Sequence, residues 1–166
     1  MSKKIPSKDL HFKLQDWINK TLGKPNPIFN NLPACPYAKQ AWLSDKVQVR
    51  QFKSWVDAYT ELLVRNFDFN KYEVVIFAFP HSTIVPSQLS EIITNLQQMW
   101  NKKDIVVLED HPDEIEEVKN FNLNFGECCL LLIQSRSKLN EARAYLESKG
   151  YYKNWDAEYK KDVQSR

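Results

Sequence analysis

Apolar residues recur along this chain with two different periods, and their alternation predicts the fold. Leu10, Leu14, Trp17, Ile18 and Leu22 fall on one stripe at helical spacing, which predicts a first helix over 7–22. Gly23 is its stop signal, and Pro25 and Pro27 mark the loop behind it. Pro36 suits the first position of a second helix, which makes Cys35 its N-cap. A strand is predicted over 47–52. Ser54 then caps a helix whose Trp55, Val56, Tyr59, Leu62, Leu63 and Phe67 form its apolar side. The run 73–79 is almost unbroken in apolar residues and reads as a central strand covered on both faces.

The second half continues in the same way. A helix over 87–100 turns Leu89, Ile92, Ile93, Leu96 and Trp100 inward, and 104–108 is a second buried strand. Asp113 and Glu116 make a capping-box pattern, which predicts a short helix bearing Ile115 and Val118. A third buried strand covers 127–133, and a helix over 137–149 stops at Gly150. The segment 151–166 mixes rings and charges, as a docked helix would. Strands alternating with helices predict an α/β (α+β) fold with right-handed parallel crossovers. The expected form is a four-stranded mixed sheet with ferredoxin-like layers, helices packed on it and an extra N-terminal helix. A small three-layer sandwich is the alternative. One domain over 1–166 is expected, with 1–6 and 160–166 flexible.

Composition narrows the function classes. Only Gly23, Gly126 and Gly150 are present, and neither a G-x-G-x-x-G nor a P-loop pattern occurs. The formal net charge of +2 is too small to call for a nucleic acid or a membrane surface. Nucleic acid ranks last among the partners; it rests on Lys3, Lys4, Lys8 and Lys13 alone. The basic start is followed by no apolar run, so neither a signal peptide nor a membrane span is expected. Three cysteines make no disulfide framework, and a reducing cytoplasm is the simplest setting. No cofactor is named by any motif.

Two sets of residues carry candidate chemistry. His81 follows one predicted buried strand and His111 follows the next. If both strands run the same way, both imidazoles stand at the carboxyl edge of the sheet, where open α/β sheets hold ligands. Glu109, Asp110 and Asp113 share that edge, and these residue types also suit a divalent metal. The plainer reading is a solvated acidic turn at a helix start. The other set is built on Cys35. At a helix N-terminus a thiol has a lowered pKa, and Lys39 one turn on adds positive charge. The plainer reading there is a small buried hydrophobe. Arg136, in Ser135-Arg136-Ser137-Lys138 at a helix start, marks an anion pocket.

Cys35-Pro36-Tyr37 resembles the glutaredoxin C-P-Y-C site. Ala38 replaces the second cysteine, no buried strand precedes the motif, and the family's later glycine pair is missing, so a thioredoxin fold is rejected. Trp17, Cys35-Pro36-Tyr37-Ala38-Lys39 and His111-Pro112-Asp113 together resemble a bacterial domain-of-unknown-function family. Its members carry a C-P-F-A segment after a first helix with a Trp, and an H-P-D segment later. The likeness follows the order of elements over most of the chain. It departs at Glu114-Ile115-Glu116-Glu117, where the family continues with aromatic and Gly residues. That family implies no activity, but the resemblance points again to Cys35, His111 and Asp113.

The leading expectation is a small-molecule-binding protein or a Cys/His-dependent enzyme with its site at the carboxyl edge. Cys35 would be the nucleophile, His81 or His111 the base, and Asp113 the group that orients an imidazole. Lys39 or Arg136 would hold a small anionic ligand. The competing expectation is a non-catalytic module, a homodimer joined through Trp42, Trp55, Trp100, Trp155, Tyr151 and Tyr152.

Overall fold

The computed structural model describes residues 7–166. The expected flexible segment 1–6, with Lys3 and Lys4, lies outside the described residues. Helix α1 (Lys8–Trp17) is capped by Ser7, whose hydroxyl accepts from the Leu10 N–H, and it runs on into a π-helical turn, Ile18–Leu22. Gly23 closes that turn by donating its N–H to the Ile18 carbonyl. A Cβ there would lie 2.7 Å from the same carbonyl oxygen, so only glycine allows the approach. After α2 (Ala38–Leu43) come β1 (Val47–Gln51), α3 (Trp55–Val64), β2 (Val74–Phe79), α4 (Pro86–Met99) and β3 (Val106–Asp110). β4 (Cys129–Gln134), α5 (Arg136–Ser148) and α6 (Ala157–Ser165) complete the chain.

The sheet is four-stranded and mixed, in the order β1-β2-β4-β3. β1 and β2 are parallel, while β4 is antiparallel to both of its neighbours, β2 and β3. β2 and β3 therefore run the same way with the last strand inserted between them, a split β-α-β unit. Alternate residues separate two cores. Val75, Phe77, Phe79, Leu131 and Ile133 face α3 and α4. Ile76, Ala78 and Leu130 face Leu10, Leu14 and Trp17 of α1. Helices thus cover both faces, in three layers.

Two sequence expectations are corrected here. The chain after Asp113 is no helix. It forms a small hairpin, Glu117–Val118 with Phe121–Asn122, around Lys119 and Asn120, which both adopt positive φ. The capping box fails because the Glu116 carboxylate is used elsewhere: it accepts from the Tyr159 hydroxyl at 2.7 Å and from Arg166 at 3.1 Å. The six rings expected at a dimer surface lie in the cores or pack against them. Trp55, Trp100, Tyr151 and Tyr152 are buried, and Tyr151, Tyr152 and Trp155 stack in a third cluster around Phe29. Residues 160–166 belong to the end of α6 and its cap, held by the ion pairs of Lys160 with Glu147 and of Arg166 with Glu116.

Gly150 ends α5 at φ 75°, and a Cβ there would meet the Asn30 amide nitrogen at 2.8 Å. Gly150→Ala is expected to lower stability by about 1–2 kcal/mol, read as the shift in a urea midpoint. An unchanged midpoint would mean that the junction between α5 and the Asn30 loop relaxes freely.

Candidate functional site

His81 and His111 stand side by side at the carboxyl edge of β2 and β3, ring centroids 6.2 Å apart and nearly perpendicular. Their surroundings differ sharply. His81 opens an exposed 3₁₀ turn, His81–Thr83. His111 is only 2% exposed, and backbone groups occupy both ring nitrogens. Its Nε2–H donates to the Ile84 carbonyl at 2.8 Å, because a carbonyl can only accept. Its Nδ1 accepts from the Asp113 N–H at 3.1 Å. This fixes one neutral tautomer and leaves no lone pair free for a substrate proton. The Asp113 carboxylate, on an exposed side chain, is 3.9 Å from Nδ1, which has no proton to give it. His111 and Asp113 thus form a turn that ties β3 to the segment before α4, and not the oriented base expected from the sequence.

Cys35 lies elsewhere. It lines a hollow at the opposite edge, where β1 and β2 begin and β4 ends, so thiol and imidazoles do not converge. Helix α2 starts at Ala38 with Tyr37 as its N-cap, not at Pro36, and it is only six residues long. Burial pushes the Cys35 thiol up, and the Ala38 and Tyr37 N–H groups pull it down by less. The result is a protonated thiol where the sequence predicts an activated one. Lys39 is exposed on α2, its stem against Gly23.

The predicted anion pocket at the start of α5 is occupied by the chain itself. Asp104 accepts from the Ser135 hydroxyl at 2.7 Å, from the Ser137 N–H at 2.7 Å and from the Ser137 hydroxyl at 2.9 Å. These bonds hold its carboxyl below the ordinary range. Arg136 turns the other way and donates to Gln97 Oε1 and the Ile105 carbonyl, each at 3.2 Å. Gln97 in turn donates to the Val107 carbonyl at 2.9 Å. Two carbonyls at the outer edge, Ile105 just before β3 and Val107 within it, are thereby satisfied by side chains.

The polar groups converge in a groove of about 730 Å³ along β3, between α4 and the end of α6. His111 and Arg136 line it, with Glu109, Asp110, Asn124 and Arg166. Asp110 accepts from the Asn124 amide at 2.6 Å and from the Phe125 N–H at 2.9 Å, and burial still raises its pKa. Glu109 is pushed up to about 7, chiefly by burial, with Glu114 and Glu116 adding to the rise; its own N–H and Arg166 oppose it. A carboxyl titrating near neutrality can give or take a proton under ordinary conditions. Sequence reasoning placed Glu109 and Asp110 at this edge but missed Asn124, which lies on an unpredicted loop, and Arg166, which reaches the groove only through α6. Among the described residues no group of three or more His, Cys, Asp or Glu side chains is placed to hold a metal ion. No helix among them is long and apolar enough to cross a membrane. No protein-family model, no curated protein and no solved structure matches the chain.

Proposed function

We propose that this protein binds a small polar molecule in the groove along β3 and that Glu109 exchanges a proton with it. One observation carries the reading: a carboxyl held at about 7 lies in a groove of about 730 Å³, beside two guanidinium groups and several amides. Glu109, Asp110, Glu114, Glu116 and Asp162 outnumber Arg136 and Arg166 there, which favours a ligand rich in hydrogen-bond donors, such as an amine or amide, over an anion. The groove runs along β3 and takes in Glu109 and Asp110 at its carboxyl end, and this reading moves the chemistry from thiol and imidazole to carboxyl. Three free thiols suit the reducing cytoplasm, and we place the protein there on that ground.

Thermal-shift screening of small amines and amides at pH 6 and pH 8, with Glu109→Gln alongside, tests the proposal. The expected result is a stabilising compound whose effect changes between the two pH values in the native chain and not in the variant. Carboxyl carbon NMR showing Glu109 titrating below 5 would overturn it, as would a screen without a single saturable hit.

A homodimer is the second reading, and it now rests on α3 instead of on the rings. Val56, Thr60, Leu63 and Val64 form an exposed stripe on that helix. Sedimentation equilibrium decides it: a monomer at every concentration removes the reading.

A further inference from the structure

The two faces of the sheet are not equally filled. On the first face Ala58, Leu62, Leu89 and Leu96 of α3 and α4 leave Phe77 and Leu131 without exposure. On the second face Val47, Val49, Val74 and Leu132 remain only partly buried. Above Val47, Val74 and Leu132 lies a hollow of about 440 Å³, walled by α2, α5 and the end of α1. The physical cause is visible in the sequence. Three of the residues these helices turn toward it, Ala38, Ala41 and Ala142, carry only a methyl group, and α2 is too short to cover more. The hollow opens to solvent at its mouth, so the apolar side chains of a central strand form the floor of a concave surface instead of being covered by a helix. Water is a poor occupant, since it needs two to four polar partners and the floor is apolar. The volume is instead that of an ordinary small-molecule site.

Charge at the mouth narrows the class of occupant. Glu73, Lys138 and Glu141 are the charged side chains there, all exposed. Lys138 donates to the Phe69 carbonyl at 3.0 Å, and among the described residues neither carboxylate has an ion-pair partner. The floor holds no charge. The walls place one thiol, Cys35, beside the apolar side chains, and burial disfavours its ionisation.

We infer that this hollow is a second binding site, for an amphiphile with an uncharged apolar body and a cationic amine head, the body on Val74, Ile76 and Leu132 and the head between Glu73 and Glu141. A second copy of the chain fits less well, because a concave hollow walled by helices needs a protrusion to fill it. The site shares no lining residue with the groove that holds Glu109.

Calorimetric titration of the full chain with decylamine, decanol and decanoate, each below its aggregation threshold, tests the inference. Decylamine is expected to bind saturably with one site, about tenfold more tightly than decanoate, with decanol between them. Ala142→Phe, which fills the space, is expected to weaken decylamine by more than about tenfold. The exposed pair Glu73→Lys and Glu141→Lys leaves the core untouched and is expected to reverse the order of amine and acid. Glu109→Gln is expected to bind decylamine as the native chain does, which separates this site from the groove. Absence of saturable decylamine binding would overturn the inference. So would equal affinity for amine and acid, retention of binding in a folded Ala142→Phe chain, or a dimer that dissociates on filling the hollow.

Discussion

Phe77→Ala is expected to lower stability by about 3–5 kcal/mol, a large share of what a domain of this size has. Phe77 is in the middle of β2 with no exposure, its ring 4.8 Å from that of Phe52 and 6.2 Å from that of Phe67. Truncation removes the transfer free energy of the ring and leaves a cavity that β4 and α4 cannot close without breaking other contacts. Phe77→Leu keeps most of the volume and is expected to cost about 1–2 kcal/mol. Urea denaturation of the two variants, with slopes compared as well as midpoints, reads both values. A loss under about 1 kcal/mol for the alanine variant would mean that the first face is loosely packed.

Glu109→Gln carries the second large effect, with the opposite sign. The folded chain holds this carboxyl at about 7, against an ordinary 4.5. Ionisation is therefore disfavoured by folding, and stability falls as pH rises through 7, while below the ordinary value the full contribution is present. The gap corresponds to about 3 kcal/mol, which solvent at a partly exposed group reduces to about 2. Glutamine keeps the shape of the protonated acid without a charge. The variant is expected to be about 2 kcal/mol more stable than the native chain at pH 8.5 and equal to it at pH 4. Equal stability at both pH values would show that the native carboxyl is solvated. A chain that retains a costly ionisable group in a groove fits the trade of stability for function that binding sites show.

The elements were mostly legible because long amphipathic runs leave little choice of period. Ser7 and Ser54 cap the helices where the pattern puts them, and the apolar run at Val74–Phe79 is the central strand. β3 was placed two residues early, because Glu109 and Asp110 look like loop residues. They belong to the ladder through their pairing with Leu131 and Leu130, which no local pattern encodes. The hairpin after Asp113 was hidden by a capping-box signature whose Glu116 is engaged by Tyr159 and Arg166, 43 and 50 residues on. The common edge of His81 and His111 followed from topology alone. Burial, the fixed tautomer of His111 and the distance of Cys35 from both depend on how layers stack, and the sequence pattern is silent on that.

The position of β4 has a consequence for synthesis. A nascent chain that has emerged only as far as residue 128 holds β1 against β2 but has nothing to join β2 to β3, since both pair with the strand still to come. Its sheet carries an empty slot flanked by two apolar strand edges, the kind of surface that chaperones recognise and that pairs with foreign strands. Entry of Cys129–Gln134 closes both ladders in one step. Folding on the ribosome is thus gated by the last quarter of the chain, and an early stop codon would leave an aggregation-prone fragment instead of a smaller folded protein.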